Sequence, residues 1–388
     1  FPMSPADYST ANWNQPPHNR RSFQRMKHLF DTATVHQSKS APSHFEYALE
    51  DLTQIQYPVS KALSQPLQHM LDSTYTDAFL VLQDGEIITE IYGNEMAYDT
   101  PHLLNSVSKS FVGMLAGIAA DEGFVDPQNL VSVYLPELSD GAFRHTTVRS
   151  ALDMTAAVAY TEDYDKRGDD FWHEAAVVGW RPDLRTDSSP RTLVEYCQQR
   201  NRTEQQEGEH FHYRTVLTNL CTAVIERAVG ESFNEYFSRR LWQPMGTEEP
   251  ANVVVDASGL AYMGAGMSAC ARDLARFGEL LRNDGFYNGS QIVPKDWVRD
   301  TRLGNDQVRR LFAASEYRGL LPDGHYRNQV WADPSAQEIM CIGIHGQSIY
   351  INRTKALVCV KLSSHPKPTD LGLYGATHRA LRALAAQR

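Results

Sequence analysis

Apolar and polar positions alternate in a readable way from residue 77 onward. DAFLVLQDGEIITEIYG (77–93) holds two runs rich in β-branched and aromatic residues that meet at Asp84-Gly85, which predicts a β-hairpin. From Val107 the period changes. Val107, Phe111, Met114, Leu115, Ile118 and Ala119 recur at helical spacing until Gly123, so a buried helix is predicted over 106–120. Within 127–245 the segments VRSALDM, LVEYCQQR, LTNLCTAVIERAVG and FNEYFSRRLWQPM carry helical periodicity, whereas RGDDFWHEAA has none and reads as a loop. MSACARDLARFGELLRNDG, from 267, reads as helix. QVWAD, EIMCIGIHGQSIYIN and ALVCVKLSS then read as strands, with NRTK as a tight turn between the last two and YGATHRALRALAAQR as a closing helix.

Strands at both ends with helices between them imply an α+β fold, in which one antiparallel sheet flanked by helices is built from both ends of the chain. The expected division is an α/β domain from 1–125 and 267–388, with an inserted, mainly helical region over 126–266. The first 65 residues, rich in Pro, Asn, Gln and Ser, read as a wrapping arm with one helical piece near 22–30.

Composition narrows the function. With 388 residues, 42% hydrophobic and 22% charged, the chain has ample material for a large core. A formal charge of −10 without a Lys/Arg-rich run argues against nucleic acid or an anionic membrane as partner. No apolar stretch approaches the ~18 residues of a spanning helix. Five scattered cysteines suggest neither a disulfide framework nor zinc, and none of the 14 histidines forms His-x-x-x-His or His-Glu-x-x-His, so no metal or other cofactor is expected. The N-terminus lacks the pattern of a secretory signal, so a cytoplasmic location is preferred, while a removed leader stays open because residue 1 is Phe. Oligomeric state, a homodimer included, is not readable.

The candidate chemistry lies in LLNSVSKSF (103–111). Ser106 heads the predicted helix with Lys109 one turn on and facing the same way. A serine hydroxyl becomes a nucleophile when something takes its proton, and a desolvated lysine can do so. The other Ser-x-x-Lys match, Ser364 to Lys367, contains Pro366, which spoils helical geometry. The alternative for Ser106 and Lys109 is an N-cap-like serine and a snorkelling lysine.

The order of hairpin, Ser-x-x-Lys helix, helical insertion and C-terminal strands resembles the serine β-lactamase and penicillin-recognising family. Within it, QPPHNR, HLLNSVSKS, DEGFVDP, YLPEL, EDY, SACARDLARFG, GIHGQ and VKLSS look most like the 6-aminohexanoate-dimer hydrolases and the family VIII carboxylesterases. The resemblance implies a β-lactamase/transpeptidase-like fold, with Ser106 as nucleophile and Lys109 as its base. It further implies a catalytic tyrosine that relays the proton toward the leaving group. Three literal Tyr-x-Asn matches, at Tyr92, Tyr326 and Tyr350, fall in strand-like segments, so Tyr213 in GEHFHYRTVLTN is the candidate. Arg214 and Thr215 after it depart from the family pattern and leave its local partner in doubt.

Where lactamases carry Lys-Thr-Gly, this chain has His345-Gly346-Gln347. The small Gly346 is expected to let substrate approach the strand, and the backbone N–H of Ile344 to join that of Ser106 in an oxyanion hole. His345 could equally be an ordinary polar strand residue. Tyr164 matches a tyrosine that holds the substrate amide nitrogen on a mobile loop. Ala175 occupies a position that is acidic in efficient oligomer hydrolases, and Gly264 a neighbouring polar one. Without an anion at 175 a charged amine end lacks a partner, so amide-oligomer cleavage is expected to be weak and ester hydrolysis to survive. The competing readings are a β-lactamase or D-amino-acid peptidase, and a catalytically silent penicillin-binding-type sensor.

Overall fold

The computed structural model describes residues 8–388; residues 1–7 of the predicted arm lie outside the described residues. The hairpin forms as expected. Strand β1 (Thr76–Gln83) pairs with β2 (Glu86–Tyr92), and Asp84 and Gly85 both take the positive φ that such a turn requires, at 51° and 83°. The C-terminal part supplies β3 (His325–Arg327), β4 (Val330–Asp333), β5 (Glu338–Gly343), β6 (Gln347–Asn352) and β7 (Leu357–Ser363). All pair antiparallel in the order β3-β4-β5-β6-β7-β1-β2, so the strand from near residue 80 lies beside the last strand of the chain. Burying an apolar sheet on both faces demands helices on both sides.

Helix α1 (Ser108–Asp121) is buried over nearly its whole length and packs against α3 (Thr215–Val229). Helix α4 (Ala271–Arg282) lies on β1, β6 and β7; a Cβ at Gly278 would sit 2.4 Å from Val358 Cγ1, so that contact needs glycine. The closing helix α5 (Leu371–Ala386) packs beside the short helix Leu67–Ser73, against the hairpin strand Gln56–Pro58.

Five expectations change. RGDDFWHEAA is not a loop: Asp170–Val177 forms helix α2, capped by the Asp169 side chain on Phe171 N–H. EIMCIGIHGQSIYIN is two strands, broken by a kinked turn at Ile344–Gly346 where His345 has φ 61°. Met267–Ala269 is a strand rather than the start of α4, and Lys295–Leu303 and Asp306–Ala313 are helices the pattern did not suggest. The arm carries a strand as well. Thr32–Val35 pairs with Ala251–Val254 in a four-stranded sheet that also holds Met267–Ala269 and His102–Leu103, tying the arm to distant parts of the chain. Among the described residues no helix is long and apolar enough to cross a membrane.

Candidate active site

Ser106 sits in the tight turn Asn105–Val107 that leads into α1, and Asn105 takes a left-handed φ of 46° to make that turn. Both Ser106 (8% exposed) and Lys109 (1%) are buried. Lys109 Nζ lies 2.8 Å from Ser106 Oγ, 3.0 Å from Thr215 Oγ1 and 2.5 Å from the carbonyl oxygen of Gly264.

Hydrogen-bond accounting fixes the direction of each contact. The Gly264 carbonyl can only accept. Thr215 Oγ1 donates its proton to Glu162 Oε1 at 2.6 Å, so toward the lysine it too must accept. A neutral amine has two N–H groups and one lone pair. With both N–H groups committed to Gly264 and Thr215, the lone pair is left for the Ser106 hydroxyl proton. Burial brings the neutral amine within reach: desolvation pushes Lys109 down to about 8, against the opposing pull of Glu162 and Glu174, so the base form gains population as pH rises through that value.

Glu162 was missed by sequence reasoning, although it stands two residues before Tyr164 in the YTEDY segment. It accepts from Thr215 N–H at 2.6 Å, from Thr215 Oγ1 and from the Tyr164 hydroxyl at 2.6 Å. Tyr164, half-buried and edge-on to Phe171, is therefore engaged with Glu162 here. Thr215, noted in the sequence only as a departure from the family pattern, is the residue that links Lys109 to this carboxylate.

Tyr213 is brought to the same place. Its hydroxyl interacts with Ser106, and burial holds its pKa well above the ordinary phenol value, so it stays protonated. Its ring stacks on Trp331 at 5.4 Å, meets Tyr326 edge-on at 5.8 Å, and lies 5.1 Å from Lys109 Nζ. Arg214, also buried, anchors this segment by donating to the Ala156 carbonyl at 2.6 Å and to Gln205 Oε1 at 3.3 Å, with an ion pair to Glu204. The Tyr-x-Asn tyrosines Tyr92, Tyr326 and Tyr350 all lie on strands.

The end of β5 presses on the nucleophile turn. A Cβ at Gly343 would fall 2.4 Å from Leu104 O and 3.0 Å from Ser106 N, a close backbone approach that glycine permits. Ile344 follows it, with its carbonyl accepting from Asn105 Nδ2 at 3.0 Å.

The next three residues serve the fold. His345 Nδ1 donates to the His365 carbonyl at 2.7 Å and its ring meets Phe23 edge-on. Burial pushes it down to about 4, so it carries no charge near neutrality. Gly346 has φ 91°, and a Cβ there would strike the His365 ring at 2.2 Å, so the packing against His365 by itself requires a small residue. Gln347 Nε2 donates to the carbonyls of Ile344, His345 and Ser363, and its Oε1 accepts from Ser363 N–H, which makes it a brace. Beyond this turn lies a largely apolar groove of about 510 Å³, lined by Tyr317, Ile342, Gly346, Ser348 and Tyr374 among others.

The two positions noted as departures from the oligomer hydrolases, Ala175 and Gly264, are both buried. Ala175 is 0% exposed in the apolar core on α2, and its neighbour Glu174 carries the local carboxylate, held by Tyr160 and Asn219. Gly264 contributes a backbone oxygen to Lys109, and a side chain there would collide with Thr215 and Asn219.

Comparison with known proteins places the whole chain among named relatives. The chain is 32% identical over 377 residues, 97% of its length and 93% of the other's, to the 6-aminohexanoate-dimer hydrolase of Paenarthrobacter ureafaciens. A Bacillus anthracis protein assigned as a 6-aminohexanoate-dimer hydrolase superposes with a TM-score of 0.89 at 26% identity, covering 100% of this chain and 98% of that one. A family VIII carboxylesterase shares the fold, with a TM-score of 0.57 at 15% identity over 81% of this chain and 96% of that one. The sequence pattern of the family described as Beta-lactamase matches residues 66–384, and the chain belongs to this β-lactamase family of serine hydrolases.

Proposed function

We propose that the protein hydrolyses small, uncharged carboxylic esters through an acyl-enzyme on Ser106. The observation that carries the reading is the committed geometry of Lys109, whose lone pair is left for the Ser106 proton alone. In the first step Ser106 Oγ gives its proton to Lys109 Nζ and bonds to the carbonyl carbon, while the carbonyl oxygen becomes an oxyanion received by the N–H groups of Ser106 and Ile344. Collapse breaks the bond to the alcohol oxygen, which receives a proton from Tyr213 as Tyr213 takes one from Lys109. Water then attacks the acyl carbon by the same route in reverse. Tyr213 acts as relay rather than base, because burial disfavours its phenolate while the same burial favours the neutral amine of Lys109.

The substrate class follows from what the site leaves free. Glu162 and Glu174 both have their oxygens engaged by Thr215, Tyr164, Asn219 and Tyr160, so neither is open to a protonated amine. His345 is neutral and turned into the fold, so the end of β5 offers no histidine cation to a β-lactam carboxylate. A neutral ester asks for neither group. Likeness to 6-aminohexanoate-dimer hydrolases over nearly the full chain supports residual cleavage of short amides as a second reading. Turnover of p-nitrophenyl butyrate, 6-aminohexanoate dimer and nitrocefin on one preparation decides: the ester is expected to be faster by about a hundredfold or more. Dimer or nitrocefin turnover equal to the ester would overturn the reading.

A further inference from the structure

The carbonyl that holds Lys109 is itself held through a chain of buried polar groups. Gly264 N–H donates to Asn219 Oδ1 at 2.8 Å, Asn219 Nδ2 donates to Glu174 Oε1 at 2.7 Å, and the Tyr160 hydroxyl donates to Glu174 Oε2 at 2.6 Å. Glu174, Asn219 and Tyr160 are each at most 1% exposed. Residue 264 is wedged in place, since a Cβ there would lie 2.5 Å from Thr215 Cγ2 and 2.9 Å from Asn219 Nδ2.

A carboxylate is a costly anchor in such a place. Two neutral donors reach it, and an ionised group buried without a cation in contact is unfavourable. An amide could make comparable hydrogen bonds without that cost. What the carboxylate adds is charge, one residue removed from Gly264 along the chain of contacts.

We propose that Glu174 is a positioning residue for the Ser106 reaction: acting through Asn219 and Gly264 it fixes the carbonyl that holds Lys109, and its negative charge biases the protonation state of that lysine. The groups that face Glu174 are consistent with this. Tyr160 and Glu162 come from the segment before α2, Tyr196 and Cys197 from the helix Leu193–Gln198, Asn219 from α3, Tyr262 from the loop before Gly264, and Lys109 from α1. Lys109 is the cation among them. Burial pushes Glu174 up to about 7 while Lys109 pulls it down, and Glu174 reciprocally raises Lys109, as two coupled groups must. Lys109 itself is faced by Ser106, Thr215, the Gly264 carbonyl, Glu162 and the Tyr213 ring.

The inference rests on the Ser106–Lys109 reading, and its test separates the two. Glu174→Gln keeps the shape and removes the charge, so the acid limb of kcat/KM for p-nitrophenyl butyrate should move to lower pH by about half a unit or more with KM unchanged. Tyr160→Phe removes a donor that stabilises the ionised carboxylate; Glu174 then binds its proton more readily, and the limb should move the same way by a smaller amount. A merely structural anchor would lower activity equally at every pH and leave the limb in place, which overturns the inference. Should Glu174→Gln fail to fold, an unmoved limb in Tyr160→Phe overturns it alone. Ser106→Ala run in parallel discriminates further: retained turnover there defeats the nucleophile assignment, whereas an inactive Ser106→Ala beside an unmoved limb defeats only the role of Glu174.

Discussion

Replacing Thr215 by valine tests the hydrogen-bond accounting around Lys109 at its weakest covalent cost, since one oxygen becomes one methyl group. Thr215 Oγ1 both accepts from Lys109 Nζ at 3.0 Å and donates to Glu162 Oε1 at 2.6 Å, so its removal leaves one lysine N–H without its acceptor and takes a donor from a buried carboxylate. Each such loss in a buried site costs about 1–3 kcal/mol. Glu162 keeps Thr215 N–H and the Tyr164 hydroxyl, so the larger share falls on the lysine, which can then turn its lone pair away from Ser106. If about 1.4–2.8 kcal/mol of that appears in the transition state, kcat/KM falls about ten- to a hundredfold. The assay is p-nitrophenyl butyrate hydrolysis by wild type, Thr215→Val and Thr215→Ser, with Tm measured on each. Serine restores the oxygen and should recover most of the activity. Thr215→Val within a factor of about two of wild type, or Thr215→Ser as damaged as Thr215→Val, would refute the reasoning.

Three further outcomes follow from the same geometry. Because Lys109 must lose a proton to act and burial pushes it down to about 8, kcat/KM should rise with pH to a plateau, with a midpoint near 8 and no second rise from Tyr213, which stays protonated; a flat profile from pH 6 to 9 contradicts this. Gly343→Ala would drive a Cβ to within 3.0 Å of Ser106 N and 2.4 Å of Leu104 O, shifting the oxyanion donors, so kcat should fall on the order of a hundredfold with a smaller change in KM; unchanged kcat contradicts it. Ala175→Asp would place a carboxylate in the fully buried core of α2, so Tm and the turnover of both ester and 6-aminohexanoate dimer should fall together; a gain on the dimer with an unchanged Tm would instead put this position against the substrate.

Much of this was legible because it is local. Asp84-Gly85 specifies its own turn, the spacing of Ser106 and Lys109 needs only one helical turn, and the period of Phe111, Leu115 and Ile118 marks a buried helix without knowledge of its partners. What stayed hidden depends on distant chain segments. Thr32–Val35 becomes a strand because it finds Ala251–Val254, more than 200 residues away, and a four-residue run carries no such information. Helix α2 was obscured by its shortness, and the break at Ile344–Gly346 by an unbroken apolar pattern across two strands. In the site, Ser106, Lys109 and Tyr213 were named and are brought together, but Glu162 reaches Thr215 from 53 positions away. His345 and Gln347 read as substrate contacts only while the backbone was imagined as a straight strand; the left-handed turn at His345 sends them into the fold.

The central claim is that Ser106 is the nucleophile, and its most direct test needs no knowledge of the natural substrate. Intact-protein mass spectrometry after a fluorophosphonate probe, with the modified peptide sequenced, should show one adduct on Ser106, none in Ser106→Ala, and a loss of ester turnover in that variant of about a thousandfold or more. An adduct on another residue, or a Ser106→Ala enzyme that keeps more than about a tenth of wild-type kcat, would contradict the account.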